Sequence, residues 1–156
     1  MNKSTMLSIT AEHAVRALSE MAAKRNGESV LGKELAVTAG IPPNYLAKIL
    51  WTLGNAGLID ATRGSGGGYR LRRAPSEIRL REIVDLFDRQ AWRTSCFLSS
   101  ERLCDPDCPC AVHQDWDRVR SAYLGFLDST TIAQIAGMRS DGIPNYGEAG
   151  NRKERE

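Results

Sequence analysis

A glycine-rich run, Gly64-Ser65-Gly66-Gly67-Gly68, lies between two short segments that read as strands. Leu58-Ile59-Asp60-Ala61-Thr62-Arg63 precedes it, and Tyr69-Arg70-Leu71-Arg72 follows and alternates in character. Glycine enters the left-handed backbone region at no steric cost, so such a run reverses the chain tightly. The flanks therefore read as the two strands of a hairpin. Just upstream the period is helical. Leu46, Ile49, Leu50 and Leu53 fall at i, i+3, i+4 and i+7 in a helix over 43–55. Pro43 suits the first helical position, where a missing N–H costs nothing, and Gly57 stops the helix. A shorter helix over 32–38 comes first, with the turn Ala39-Gly40-Ile41-Pro42-Pro43 between. Two helices joined by a glycine turn, then a glycine-tipped hairpin, make a helix-turn-helix with a wing.

The rest of the chain reads as mainly helical, so the fold class is mainly α with a small β-hairpin wing. A helix is predicted over 8–24 and another over 78–88, with Leu80, Ile83, Val84 and Phe87 on its apolar face. Residues 91–110 hold four cysteines and little sign of regular structure. A long helix follows over 111–127. Its Val112, Trp116, Val119, Tyr123 and Phe126 recur at spacings of four and three, the narrow seam of a helix–helix interface. An interface between two copies is expected, with packing inside the chain as the alternative. Residues 130–136 form one more short helix, and the polar tail 139–156 is expected to be disordered. Three regions result: a winged helix-turn-helix over 1–75, a cysteine loop and dimer helix over 76–138, and the tail.

The 156 residues suffice for a self-supporting core. Nothing approaches the roughly 18 consecutive apolar residues of a membrane span. The N-terminal stretch has no signal-peptide pattern, so a cytoplasmic protein with no membrane partner is expected. Charge is uneven. Residues 1–73 carry ten Lys/Arg against five Asp/Glu, whereas residues 74–156 carry eleven against fourteen. A basic N-terminal half points weakly to nucleic acid.

In a helix-turn-helix, the second helix enters the major groove with its N-terminal residues near the bases. The face opposite the apolar stripe carries Asn44, Ala47, Lys48, Trp51 and Asn55. Asn pairs with adenine and Lys reaches guanine or phosphate, which makes Asn44 and Lys48 the base-reading candidates. Trp51 either packs under the wing or lies along the DNA backbone, with packing expected. In the wing, Gly66, Gly67 and Gly68 let the backbone approach a groove, and Arg63 at the base of the turn suits a narrow minor groove. Arg70, Arg72 and Arg73 are phosphate candidates. A nucleotide loop does not fit: Tyr69 stands where the last glycine of a GxGxxG pattern would be, and no Gly-Lys-Ser/Thr ending follows. With no catalytic dyad either, no enzyme is expected.

Cys96, Cys104, Cys108 and Cys110 fall within fifteen residues, and His113 follows. Soft thiolate donors so grouped in a reducing compartment argue for metal or redox chemistry. Three cysteines and a histidine suit structural zinc, but close Cys-x-x-Cys knuckles are absent. Looser spacing accommodates an iron–sulfur cluster, which is wider than one ion. An iron–sulfur cluster, zinc and a bare thiol switch all remain open on spacing alone. A zinc-stabilised DNA-binding module and, more remotely, a small redox protein are the rival functions.

Ala14-Val15-Arg16-Ala17-Leu18, Tyr45-Leu46, Ala56-Gly57-Leu58-Ile59 and above all Arg63-Gly64-Ser65-Gly66-Gly67-Gly68-Tyr69-Arg70-Leu71 resemble the Rrf family of bacterial winged-helix regulators. That family includes regulators of iron–sulfur cluster assembly and nitric-oxide-sensing repressors. The resemblance covers about residues 6–136. It implies a homodimer on a roughly palindromic duplex, with wing and recognition helix, Tyr45 and Arg70 included, on the DNA. It also implies a cluster in the loop before the dimer helix, with a two-iron form expected ahead of a four-iron one. Cys96, Cys104 and Cys110 carry over as ligands by position. The fourth ligand is either His113 or Glu12 from the other subunit, and His13, where many relatives have an aromatic residue, could also reach the site. Cys108 has no usual counterpart and is a spare thiol or a substitute ligand. Pro42 replaces a frequent serine, and Ala47 replaces a glutamate of the assembly regulator, so operator preference does not carry over.

Overall fold

The computed structural model describes residues 7–24, 27–88 and 95–138. The expected tail lies outside these residues. The elements are α1 (Ile9–Ala23), α2 (Gly32–Ala39), α3 (Pro43–Asn55), β1 (Ile59–Thr62), β2 (Gly68–Leu71), α4 (Leu80–Phe87), β3 (Ser95–Cys96), β4 (Ser99–Leu103), α5 (His113–Ser129) and α6 (Ile132–Met138). Among the described residues, no helix is long and apolar enough to cross a membrane.

The core is built by helical stripes. Ala14, Ala17, Leu18 and Met21 of α1 meet Leu35, Ala36 and Ala39 of α2 and Leu46, Ile49, Leu50 and Leu53 of α3. Each large aliphatic side chain so buried stabilises the fold by about 1.5–3 kcal/mol. Between α2 and α3, Gly40 takes φ 64°, and the Ile41 N–H donates to the Ala36 carbonyl at 2.9 Å. The small turn aims α3 so that its stripe is buried and its opposite face is bare.

β1 and β2 pair antiparallel, with Ile59 opposite Leu71 and Thr62 opposite Gly68. Val30 bridges the other edge of β2, where it and Tyr69 exchange two N–H···O=C bonds of 2.9 Å. This contact explains Gly68. Its φ is 145°, and a Cβ there would stand 2.6 Å from the Val30 carbonyl oxygen.

The C-terminal third is tied into the same core. Ile78, Leu80, Ile83 and Val84 pack with Leu127 and Ile132. The Leu80 N–H donates to the Thr130 carbonyl and the Ile132 N–H to the Ile78 carbonyl, both at 2.9 Å. α6 packs on α1. Ser8 caps α1 through its hydroxyl, which accepts from the Ala11 N–H at 3.1 Å. The Ser8 N–H donates to the Asp88 carboxylate at 3.1 Å, linking that cap to the end of α4.

Two departures from the sequence reading concern the cysteine segment and the long helix. Within 91–110, read as irregular, Ser95–Cys96 and Ser99–Leu103 form a hairpin with a shifted register. The long helix starts at His113 and leaves Val112 at its cap. Leu127 is the one buried residue of this 17-residue helix.

Candidate metal pocket and nucleic-acid interface

The β3–β4 hairpin ends with Cys96 in one strand and leads, past Leu103, into the loop that carries Cys104, Cys108 and Cys110. α5 starts at His113, whose N–H donates to the Cys110 carbonyl at 3.0 Å. The hairpin folds back over this helix start, with Phe97 against Trp116 at 5.3 Å between ring centroids. The result is a pocket of about 250 Å³ lined by Cys96, Cys104, Cys108, Cys110 and His113. Arg102 and Asp105 also line it, which the sequence alone did not single out.

The donors stand in two pairs. Cys96 Sγ lies 3.7 Å from Cys110 Sγ, and Cys104 Sγ lies 3.2 Å from His113 Nδ1. No disulfide joins any of the four cysteines. Two thiolates on one tetrahedral ion stand about 3.8 Å apart, and a thiolate and an imidazole about 3.6 Å, given metal bonds of ~2.3 and ~2.1 Å. Each pair thus has nearly the span of two ligands on one metal atom. Among the described residues, no group of three His, Cys, Asp or Glu side chains converges as a single-ion site. Soft donors, split into two pairs around a pocket, fit a group with two metal atoms better than one ion.

Cys108 lines the same pocket but is exposed. Glu12 is not among the lining residues. It pairs with Arg16 one turn along α1. Its neighbour His13 turns towards α3 instead and meets Tyr45 edge-on, with ring centroids 5.3 Å apart. Burial, reinforced by the positive charge of Arg16, holds the His13 imidazole below its ordinary pKa. Its Nδ1 is buried and has no hydrogen-bond partner.

Asn44 and Lys48 are exposed on the outer face of α3, with Ala47 and Asn55 beside them. Tyr45 is half-buried, its hydroxyl bonded to Thr10 of α1 and its ring on His13. Trp51 corrects the expectation of packing under the wing, for it is 72% exposed. At the wing, Arg63 and Gly66 are exposed. Gly67 is buried, and a Cβ there would meet the Thr62 carbonyl oxygen at 2.4 Å, so internal packing alone demands glycine. Arg70 and Arg72 both face Asp60, at 3.8 and 3.5 Å, and Arg73 pairs with Glu82 at 2.5 Å. Arg63, exposed at the base of the turn, forms no ion pair of this kind among the described residues.

Along α5, Val119 and Phe126 are 57% and 52% exposed. Val112, Trp116 and Tyr123 are half-buried. Tyr123 packs against the core, and its ring lies 6.4 Å from that of Phe126.

Residues 7–137 match the family described as Rrf2, iron-dependent transcriptional regulator. The chain is 31% identical over 130 residues to the HTH-type transcriptional regulator NsrR of Bacillus subtilis, covering 83% of this chain and 89% of that protein. In structure it is similar to CymR, the global cysteine regulator of B. subtilis, with a TM-score of 0.72, 26% identity, and coverage of 86% and 98% of the two chains. The IscR of T. potens shares the fold, with a TM-score of 0.69 at 23% identity over 92% of this chain and 96% of that one. A match spanning nearly the whole described chain, on a winged helix-turn-helix of this topology, establishes that the protein belongs to the Rrf2 family of transcriptional regulators.

Proposed function

We propose that the protein is a homodimeric regulator whose DNA affinity responds to an iron–sulfur cluster. Cys96 and Cys110 would hold one iron, and Cys104 and His113 the other. The observation that carries this reading is the division of the donors into two pairs of 3.7 and 3.2 Å. When bound, such a cluster supplies one-electron redox chemistry and reactivity towards oxidants or nitric oxide. The rest is done by the chain. In a four-iron cluster each iron takes its own protein ligand, so close ligand pairs favour two irons. Glu12, paired with Arg16, is then not needed as a ligand within one chain.

Regulation requires that the loaded and empty pockets favour different placements of the two DNA-binding heads. The supporting route is continuous packing. His113 opens α5, Leu127 and Ile132 end in the core, α6 packs on α1, and α1 touches Tyr45 at the start of α3. Because both regions share one core, the boundary near residue 75 is a functional division between DNA reading and sensing. The exposed Val119 and Phe126, with Val112, Trp116 and Tyr123, are the proposed dimer seam. A coupling of about 1–3 kcal/mol changes DNA affinity roughly 5–150-fold. Two-fold symmetry calls for a roughly palindromic site.

Purification without oxygen, followed by assay of iron, acid-labile sulfide and zinc, tests this reading. Two irons and two sulfides per chain are expected, with at least about fivefold difference in affinity for a duplex selected by the protein itself before and after cluster removal. Zinc as the only bound metal would mark a structural module. The 3.7 Å contact of Cys96 and Cys110 also favours a second reading, a thiol switch. There a peroxide would take two electrons and two protons from the pair and leave a disulfide. Metal-free protein that still regulates, with this disulfide found by mass spectrometry, would establish that reading instead.

A further inference from the structure

The outer face of α3 carries one residue that solvation does not explain. Asn44, Lys48, Trp51 and Asn55 stand at i, i+4, i+7 and i+11, so they form one line along the helix. All are exposed, while Leu46, Ile49, Leu50 and Leu53 occupy the buried side. An indole that is 72% exposed in the middle of a polar line leaves a large apolar ring in water. Among the described residues nothing covers it: the wing, its expected cover, is pinned instead to Val30 through Tyr69. Trp51 lies about 10 Å along the axis from Asn44. That span matches the roughly 12 Å width of a major groove, so a helix seated with Asn44 and Lys48 at base edges brings the indole into the same groove.

The partner chemistry follows from charge and from the groove. Residues 1–73 have twice as many basic as acidic residues, ten against five, which suits a polyanion. The major-groove floor displays hydrogen-bonding atoms and one apolar group, the 5-methyl of thymine. We infer that Trp51 is a specificity-determining residue, whose indole packs on a thymine methyl beside the bases met by Asn44 and Lys48. The inference rests on α3 being the DNA-reading helix.

Selection of duplexes from a random pool, by the wild-type protein and by Trp51→Ala, tests it. The exposed site makes the variant safe for folding, which far-UV circular dichroism checks. Trp51→Ala is expected to bind the wild-type-selected duplex roughly tenfold more weakly, the size of one lost base contact. Its affinity for random-sequence duplex should not change, and its own selected sequences should lose one thymine preference. Replacing that thymine by uracil, which lacks only the methyl, should weaken the wild type by a similar factor and leave Trp51→Ala unaffected. Identical selected sequences and affinities for the two proteins overturn the inference. So does an equal loss on selected and random duplexes, which marks a backbone contact, or a changed oligomeric state in ultracentrifugation, which assigns the ring to a second copy. A wild-type protein that enriches no sequence overturns the reading of α3 itself. A Lys48→Ala variant that shifts preference while Trp51→Ala does not leaves α3 as the reader and removes Trp51 alone.

Discussion

The Sγ atoms of Cys96 and Cys110 lie 3.7 Å apart, although 14 residues separate them in the chain. A two-residue strand holds one, and the residues just before α5 hold the other. Cys108, only two residues from Cys110, is left exposed and out of either close pair.

The proposed cluster site separates the four thiols by role. Replacing Cys104 or Cys110 by Ala should abolish the visible absorbance of the loaded protein while leaving a folded chain. Cys108→Ala should keep at least most of it. Iron and sulfide assays with absorbance spectra check both; a colourless Cys108→Ala would make that thiol a ligand and displace His113.

The wing should tolerate change at its tip and resist it at its root. A Cβ at residue 68 would stand 2.6 Å from the Val30 carbonyl oxygen, at φ 145°. Gly68→Ala should cost about 2–3 kcal/mol, a fall in Tm of roughly 5–10 °C. Gly66, at φ 78° with nothing within 4 Å, should lose only about 1 kcal/mol as Ala. Thermal denaturation of the two variants gives the comparison, and equal losses would refute the role assigned to Val30.

Arg63 and Lys48 should fail differently. Arg63→Ala should weaken every duplex and flatten the salt dependence of binding by about one unit of slope. Lys48→Ala should also change which sequence is preferred if it meets a base. Titrations at several salt concentrations, on selected and random duplexes, separate the two; a purely uniform loss for Lys48→Ala reassigns it to phosphate.

The seam on α5 makes a claim about assembly and not about folding. Val119→Glu and Phe126→Glu should shift the protein from dimer to monomer in ultracentrifugation with helix content unchanged. Leu127→Ala, by contrast, removes a fully buried side chain and should cost about 2–5 kcal/mol of stability. Dimers that survive both charged substitutions would place the interface elsewhere.

The helical stripes were legible because burial of Leu46, Ile49, Leu50 and Leu53 needs only the helix's own period. The wing was legible because Gly64 to Gly68 leave a chain few alternatives to reversal. The cysteine hairpin was not. Cys96-Phe97-Leu98-Ser99 contains no strong turn former, and the register of β3 and β4 is shifted. Spacing named the donors but not their partners, since a loop brings Cys96 to Cys110 past nearer cysteines by a path that no local period encodes. Trp51 escaped for a related reason. A helix face shows which residues look outward, whereas what covers them is decided by where the wing docks, here on Val30.

One consequence lies in the length of α5 and the place of its anchor. From His113 to Leu127 the helix extends about 21 Å, and Leu127 is its buried residue. A rod clamped near one end converts small movements at the other into rotation. Swinging it by about 5° about Leu127 carries the His113 end through roughly 2 Å, enough to break a hydrogen-bond-length contact with Cys104. The leverage works in both directions. Sub-ångström adjustments at the thiols correspond to only a degree or two of swing at the core, so the proposed sensing would follow all-or-none loss of a bound group and not graded adjustment within it.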